Sequence, residues 1–321
     1  MTIIYHPKLS TELEKYGIAI PLCDDRSQRV FERLKQDFPQ LKELDLSLLE
    51  ELTREDLKRA HDSDFLERWF SDEEFITQIL YAYDCQDPSR YLPERAQAPL
   101  TQLRESILSQ VKGTVLTVKT ALEAKKFCYY LGGGMHHARS YTGAGFCPLS
   151  DIVIALRKAQ KEYSLQNILI LDVDAHMGDG TAEITKDDPT LTTISLHMAD
   201  GWPIHSELPI VSSDYDLPFK LNEEESYLPR LQNILFDSDI MDKKWDLLFV
   251  VNGADPYEGD ALKSSEGLKL SKEQLLARDM LIYKWARDLD IPQAWVMAGG
   301  YGEKAADIYS QFLLKILHLM G

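Results

Sequence analysis

Between residues 103 and 127 apolar side chains recur at helical spacing among good helix formers, which predicts one long helix. Val111-Lys112-Gly113-Thr114 inside it marks either a bend or a point of close packing. From residue 150 the pattern turns regular. A helix predicted over 151–163 is followed by Ile-Leu-Ile-Leu-Asp-Val at 168–173, a short apolar run bounded by polar residues, as a buried strand is. Similar runs predict strands at 191–197, 245–251 and 294–298, with helices at 271–288 and 304–319. Strands apolar on both faces that alternate with helices imply a mostly parallel sheet covered on both sides, a three-layer α/β/α fold. The first hundred residues are charged and mixed. Residues 47–71 read as helices with acidic and basic faces, and 84–98, with two prolines, as a long loop. That part shows no independent core and the chain no internal repeat, so residues 1–321 are expected to form a single domain.

Composition narrows the function classes. The net charge of -17 argues against non-specific nucleic-acid binding, which needs basic patches. The four cysteines, Cys23, Cys85, Cys128 and Cys147, form no CxxC pair, so neither a disulfide framework nor a structural zinc site is expected. Reduced thiols, no signal-like start and no apolar run of membrane-spanning length suggest a cytoplasmic protein.

Polar clusters follow the predicted strands, where ligands bind in parallel α/β sheets. The run at 168–173 continues into Asp174, Ala175, His176, Met177, Gly178 and Asp179. Side chains alternate faces along a strand, so Asp172, Asp174 and, if the chain stays extended, His176 are expected to point the same way. Carboxylates at strand ends often only cap helices or bind loop amides. Two buried together are costly without a cation, which favours a metal site. After 191–197 come His197, Asp200 and Trp202; after 245–251 comes Asn-Gly-Ala-Asp-Pro-Tyr-Glu-Gly-Asp, centred on Asp255; after 294–298 comes Gly299-Gly300-Tyr301-Gly302. Upstream lies Leu131-Gly132-Gly133-Gly134-Met135-His136-His137-Ala138.

Five of these motifs occur together and in order: Gly-Gly-Gly-Met-His-His-Ala, Gly-Phe-Cys at 145–147, Asp-Val-Asp-Ala-His-Met-Gly-Asp-Gly-Thr, Gly-Ala-Asp-x-x-x-Gly-Asp, and Gly-Gly-Tyr. In this they resemble the zinc-dependent histone deacetylase superfamily, which includes the acetylpolyamine amidohydrolases. The likeness is clear over about 105–321 and loose before that. It implies an arginase-like α/β sheet and a deacylase that splits the amide of an N-acyl amine, an acyl-lysine or a small molecule. By the resemblance Asp174, His176 and Asp255 hold zinc, or ferrous iron, which polarises the acyl carbonyl and activates a water. His137 is then the general base and acid and His136 an electrostatic assistant, oriented by Asp179 and Asp172 respectively. Tyr301 donates to the oxyanion, the Gly145 carbonyl takes the substrate amide N–H, and Phe146 and Trp202 wall the acyl channel. Asp172, Asp174, His176, Ser195 and Leu196 match the positions that bind a structural potassium in relatives.

Two departures stand out. Met297-Ala298-Gly299-Gly300-Tyr301 has a short glycine run that is closer to the class IV branch and its bacterial relatives. The acid that grips the substrate backbone at the channel rim in some eukaryotic members has no clear counterpart, with Asp84, Asp87 and the 20–30 segment all open. A binuclear manganese hydrolase of the arginase type would need an acid at position 178, where Gly178 stands. A scaffold that binds acylated ligands without turnover is the reading from another class.

Overall fold

The structure, a computed structural model, describes residues 1–320. Seven strands form one all-parallel sheet: β1 (Thr2–Ile4), β2 (Phe127–Tyr130), β3 (Ile168–Asp172), β4 (Leu191–Met198), β5 (Tyr215–Phe219), β6 (Leu247–Asn252) and β7 (Gln293–Met297), in the spatial order β1-β2-β7-β6-β3-β4-β5. From β3 the chain moves outward through β4 and β5, then returns to lay β6 against the other side of β3. The strand order therefore reverses between β3 and β6, where an open parallel sheet leaves a crevice beyond its strand ends.

Alternation along the strands divides the core. Leu169 and Leu171 face one layer, with Val250, Trp295 and the helices Arg26–Asp37, Lys272–Asp288 and Ala305–Met320. Ile168 and Ile170 face the other, with Phe249, Val296 and the helices Leu103–Ala124 and Asp151–Tyr163. A third cluster joins Leu13, Ile18, Trp69 and Phe75 of the first hundred residues to Ile107, Val111 and Val153.

The long helix ends at Ala124, with Lys125 left-handed at φ 48°, so 127–130 is strand β2 and not its last turn. Gly113 leaves that helix unbroken; a Cβ there would lie 2.5 Å from the Tyr130 ring, which makes it a packing point. In the 47–71 region the helices are Arg54–Leu57 and Ser63–Phe70, after a 3-10 turn at Leu46–Leu48. The predicted strand at 168–173 stops at Asp172, and that at 294–298 begins at Gln293.

Candidate active site

The crevice is furnished from five strand ends. After β2 the chain runs through Gly132–Gly134, and the buried carboxylate of Asp151 fixes that loop by accepting hydrogen bonds from the Gly134 and Met135 N–H groups at 2.9 and 2.8 Å. Asp151 is itself placed by Ser150, whose hydroxyl caps the helix Asp151–Tyr163. The loop delivers His136 and His137 side by side, ring centroids 3.8 Å apart.

Beyond β3 the backbone turns. Asp172 and Asp174 therefore do not share one direction as an extended chain would require. Asp172 points to His136, its Oδ2 2.7 Å from Nδ1. Asp174 and His176 instead meet Asp255, which arrives from β6, and one ligand atom from each of the three lies within 4.8 Å of the others. His176 Nδ1 is 2.9 Å from Asp255 Oδ2 and 3.2 Å from Asp174 Oδ1, while its Nε2 faces the Ser264 hydroxyl at 3.1 Å. Asp255 does not cap its own turn; its Oδ1 accepts from the Ala175 N–H at 3.0 Å, and Asp174 Oδ2 accepts from the Gly299 N–H at 2.8 Å. Below them the fully buried Arg278 donates to the Val173 and Gly253 carbonyls, both at 2.8 Å, and to Asp279. One guanidinium thus ties the two strand ends that carry Asp174 and Asp255. Asp279 accepts from Asn252 Nδ2 at 2.9 Å, which extends the network to β6.

The two histidines have different backgrounds. Burial works against a charge on His136, but Asp172 and Asp174 outweigh it and raise its pKa to about 9. His137 shares Asp179, at 2.8 Å, with the buried Arg139 guanidinium. Burial and the neighbouring His136 charge lower its pKa to about 3, which keeps it neutral. Arg139 also donates to the Pro209 carbonyl at 2.6 Å and so links the pair to the loop after β4. Its own carbonyl accepts from His61 Nδ1 at 3.0 Å, and His61 Nε2 accepts from the Ser150 N–H. Gly178 packs against Asp172: a Cβ there would fall 2.4 Å from Oδ2, so a side chain would displace the His136 partner.

A slot opens above, lined by His137, His176, Gly145, Phe146, Trp202, Leu262, Ser264, Tyr301, Asp84 and Arg90. Gly145 sits at φ 53°, and a Cβ on it would strike the Trp202 ring at 2.1 Å, so the Trp202 wall needs a glycine opposite. Trp202 also stands edge-on to His137, centroids 4.3 Å apart. Phe146 meets Tyr301 edge-on at 6.0 Å. Burial and the nearby Asp255 and Asp174 push the Tyr301 phenol well above its ordinary pKa, so it stays a donor. Of the acids open at the rim, Asp84 lies on the slot wall; Asp87 is outside it, and Asp24 faces a separate cavity beside Cys23. A second cavity continues behind His136 and Tyr301 to Arg26, whose Nη1 donates to the Gly300 carbonyl at 2.9 Å.

The histone deacetylase domain family matches residues 20–317. The chain belongs to the histone deacetylase family. It is 38% identical over 209 residues to an uncharacterized protein of Picosynechococcus sp., 64% of this chain and 67% of that one. Histone deacetylase 2 of Arabidopsis thaliana is 27% identical over 62% of this chain and 50% of its own length. The acetoin utilization protein AcuC of Staphylococcus aureus is 31% identical over 41% of this chain and 36% of its own. The crystal structure of the HDA15 HD domain superposes over 99% of this chain and 91% of that one, with a TM-score of 0.75 at 18% identity, and shows the same arginase/deacetylase-like fold.

Within this deacetylase fold, Ser195 is the register neighbour of Asp172 across β3 and β4, and its hydroxyl accepts from the Gly178 N–H at 3.3 Å; Leu196 is buried beside it. Asp151, Arg139, Ser264, Arg278 and Asp279 were not singled out by the motifs. For Arg278-Asp279 a signal exists: two charges inside the apolar face Leu275, Met280 and Ile282 of one helix.

Proposed function

We propose that the chain is a metal-dependent deacylase that hydrolyses the amide of an N-acyl amine, acetyl-lysine or a longer acyl-lysine. The observation that carries this is the buried Asp174–His176–Asp255 cluster, whose His176 lines the same slot as His137 and Tyr301. Two buried carboxylates facing one imidazole fit a divalent cation, and three protein ligands leave room for water and substrate. Zinc suits the donor set best, with ferrous iron as the alternative. When bound there, the cation supplies Lewis-acid polarisation of the acyl carbonyl and a more acidic water.

The residues divide the remaining work. His137, neutral at pH 7, takes the water's proton through its Nε2 while Asp179 holds Nδ1, then returns that proton to the departing amine nitrogen. His136, held charged by Asp172, favours the negative charge that develops beside it. The Tyr301 phenol donates to the oxyanion, and its contact strengthens as charge forms. The Gly145 carbonyl accepts the substrate N–H, with Phe146 and Trp202 on either side of the chain. The cavity that ends at Arg26 offers the carboxylate product a cation. Residues 1–321 act as one deacetylase domain in this reading, because Leu13, Ile20 and Leu22 complete that cavity. The turn Asp172–His176 with Ser195 and Leu196 is the proposed potassium position, a structural role. The unpaired cysteines agree with a reducing cytoplasm; among the described residues no helix is long and apolar enough to cross a membrane.

The test is a release assay on acetyl-, butyryl- and myristoyl-lysine peptides beside acetylputrescine, with and without chelator. Hydrolysis that chelation stops and zinc restores supports the reading. Rates untouched by chelation, or tight binding without release, overturn it.

A further inference from the structure

The slot's mouth carries an ion pair that the catalytic reading leaves unused. Asp84 is the one carboxylate among the described residues on its walls; Asp174 and Asp255 lie below, engaged with His176. Arg90 Nη1 donates to Asp84 Oδ2 at 2.8 Å, with Nε 3.9 Å from Asp87. The guanidinium also lies over the Phe146 ring, 5.4 Å from its centroid, and so sits against the slot wall itself. The pair is half open to solvent, the Arg90 side chain 28% and the Asp84 side chain 52% exposed.

We infer that Arg90 is a charge filter that sets the substrate class of this deacylase: acyl amines whose far end is neutral or dipolar, as in the backbone around an acyl-lysine, over those with a second ammonium. This rests on the deacylase reading. A substrate cation at the mouth needs an unpaired acid, and Arg90 occupies the only one on the walls while adding a repelling charge of its own. A neutral backbone meets instead a carboxylate that accepts an amide N–H and a guanidinium with donors to spare for a carbonyl. The overall charge of -17 draws cations toward the protein, yet the mouth selects against them.

The experiment compares Nα-acetyl-Nε-acetyl-lysine methylamide with N-acetylcadaverine, which has the same five-carbon acyl-amine chain but ends in an ammonium. Calorimetric affinity and kcat/KM are both measured on wild type, Arg90→Met, Arg90→Lys and Asp84→Asn. Wild type favours the neutral compound, and Arg90→Met, which frees Asp84, narrows that preference roughly fivefold, the scale of a rim charge. Arg90→Lys keeps it, and Asp84→Asn, which leaves Arg90 only the longer Asp87 contact at 3.9 Å, widens it. A binding preference that is flat in wild type, or that Arg90→Met and Asp84→Asn move in the same direction, overturns the filter whatever the turnover. If neither compound is cleaved but the binding preference follows this order, the deacylase reading falls and the filter stands.

Discussion

The floor of the slot and its mouth are built by opposite means. At the floor, Asp174 and Asp255 are almost wholly buried, and each carboxylate oxygen is engaged by a backbone N–H or by His176. Arg278 clamps the two strand ends beneath them. At the mouth, Asp84 and Arg90 belong to an irregular segment, and Trp202 lies in the irregular stretch after β4. A rigid floor holds reacting groups where the chemistry requires them, whatever the substrate. Loops at the mouth can change without disturbing it and therefore carry selectivity. Substitutions at the floor should lower turnover of every acyl amine alike; those at the mouth should change ratios between substrates.

The largest effect is expected at the cluster. Asp174→Ala should lose both bound metal and detectable hydrolysis, measured by elemental analysis alongside the release assay; metal retained with full activity would remove Asp174 from the floor. Arg278→Met leaves Asp279 as an uncompensated buried charge and should lower stability by about 3–5 kcal/mol in urea unfolding. An unchanged midpoint would mean the clamp is not part of the floor's rigidity. Tyr301→Phe should keep metal and fold while kcat falls by about 10²–10³ for all substrates. A drop confined to one substrate would place Tyr301 with the mouth instead.

A smaller effect is expected behind the floor, at His61, which bridges the Arg139 carbonyl and the Ser150 N–H. Burial lowers its pKa from 6.5 to about 4. The unfolded chain takes up this proton at higher pH than the folded one, so stability is full above about pH 6.5. It declines as pH falls toward 4, by at most about 3 kcal/mol from this group. His61→Gln, compared with wild type by urea midpoints at pH 7 and 4.5, should flatten that decline. It should not abolish it, since burial also lowers His197 to about 4. An identical decline in the variant would show that the His61 bridge to Arg139 and Ser150 has no part in it. The rim ratio at Arg90 is the smallest change of the set.

The same division governed what could be read from the sequence. The floor was legible because its residues come in dense groups: Asp172, Asp174, His176 and Asp179 within eight residues, and the adjacent His136 and His137. The sheet was legible where strands are apolar on both faces, as in β3, β4, β6 and β7. It was not where they are short or half exposed. β1 has three residues, and β5 is an edge strand containing Pro218, with alternation blurred by exposure. β2 follows an apolar helical face so closely that its phase is hidden until Lys125 turns left-handed. Arg139 stayed unseen because a lone arginine reads as surface until its burial is known. Among the acids open for the rim, only the fold could choose Asp84, because slot walls drawn from distant loops leave no local pattern.

The central claim is that the floor holds one catalytic metal. Metal-free protein titrated with zinc should gain acetyl-lysine hydrolysis in proportion to zinc added and reach a plateau at one equivalent per chain. Activity in the fully chelated protein, or a plateau only at two equivalents, would contradict it.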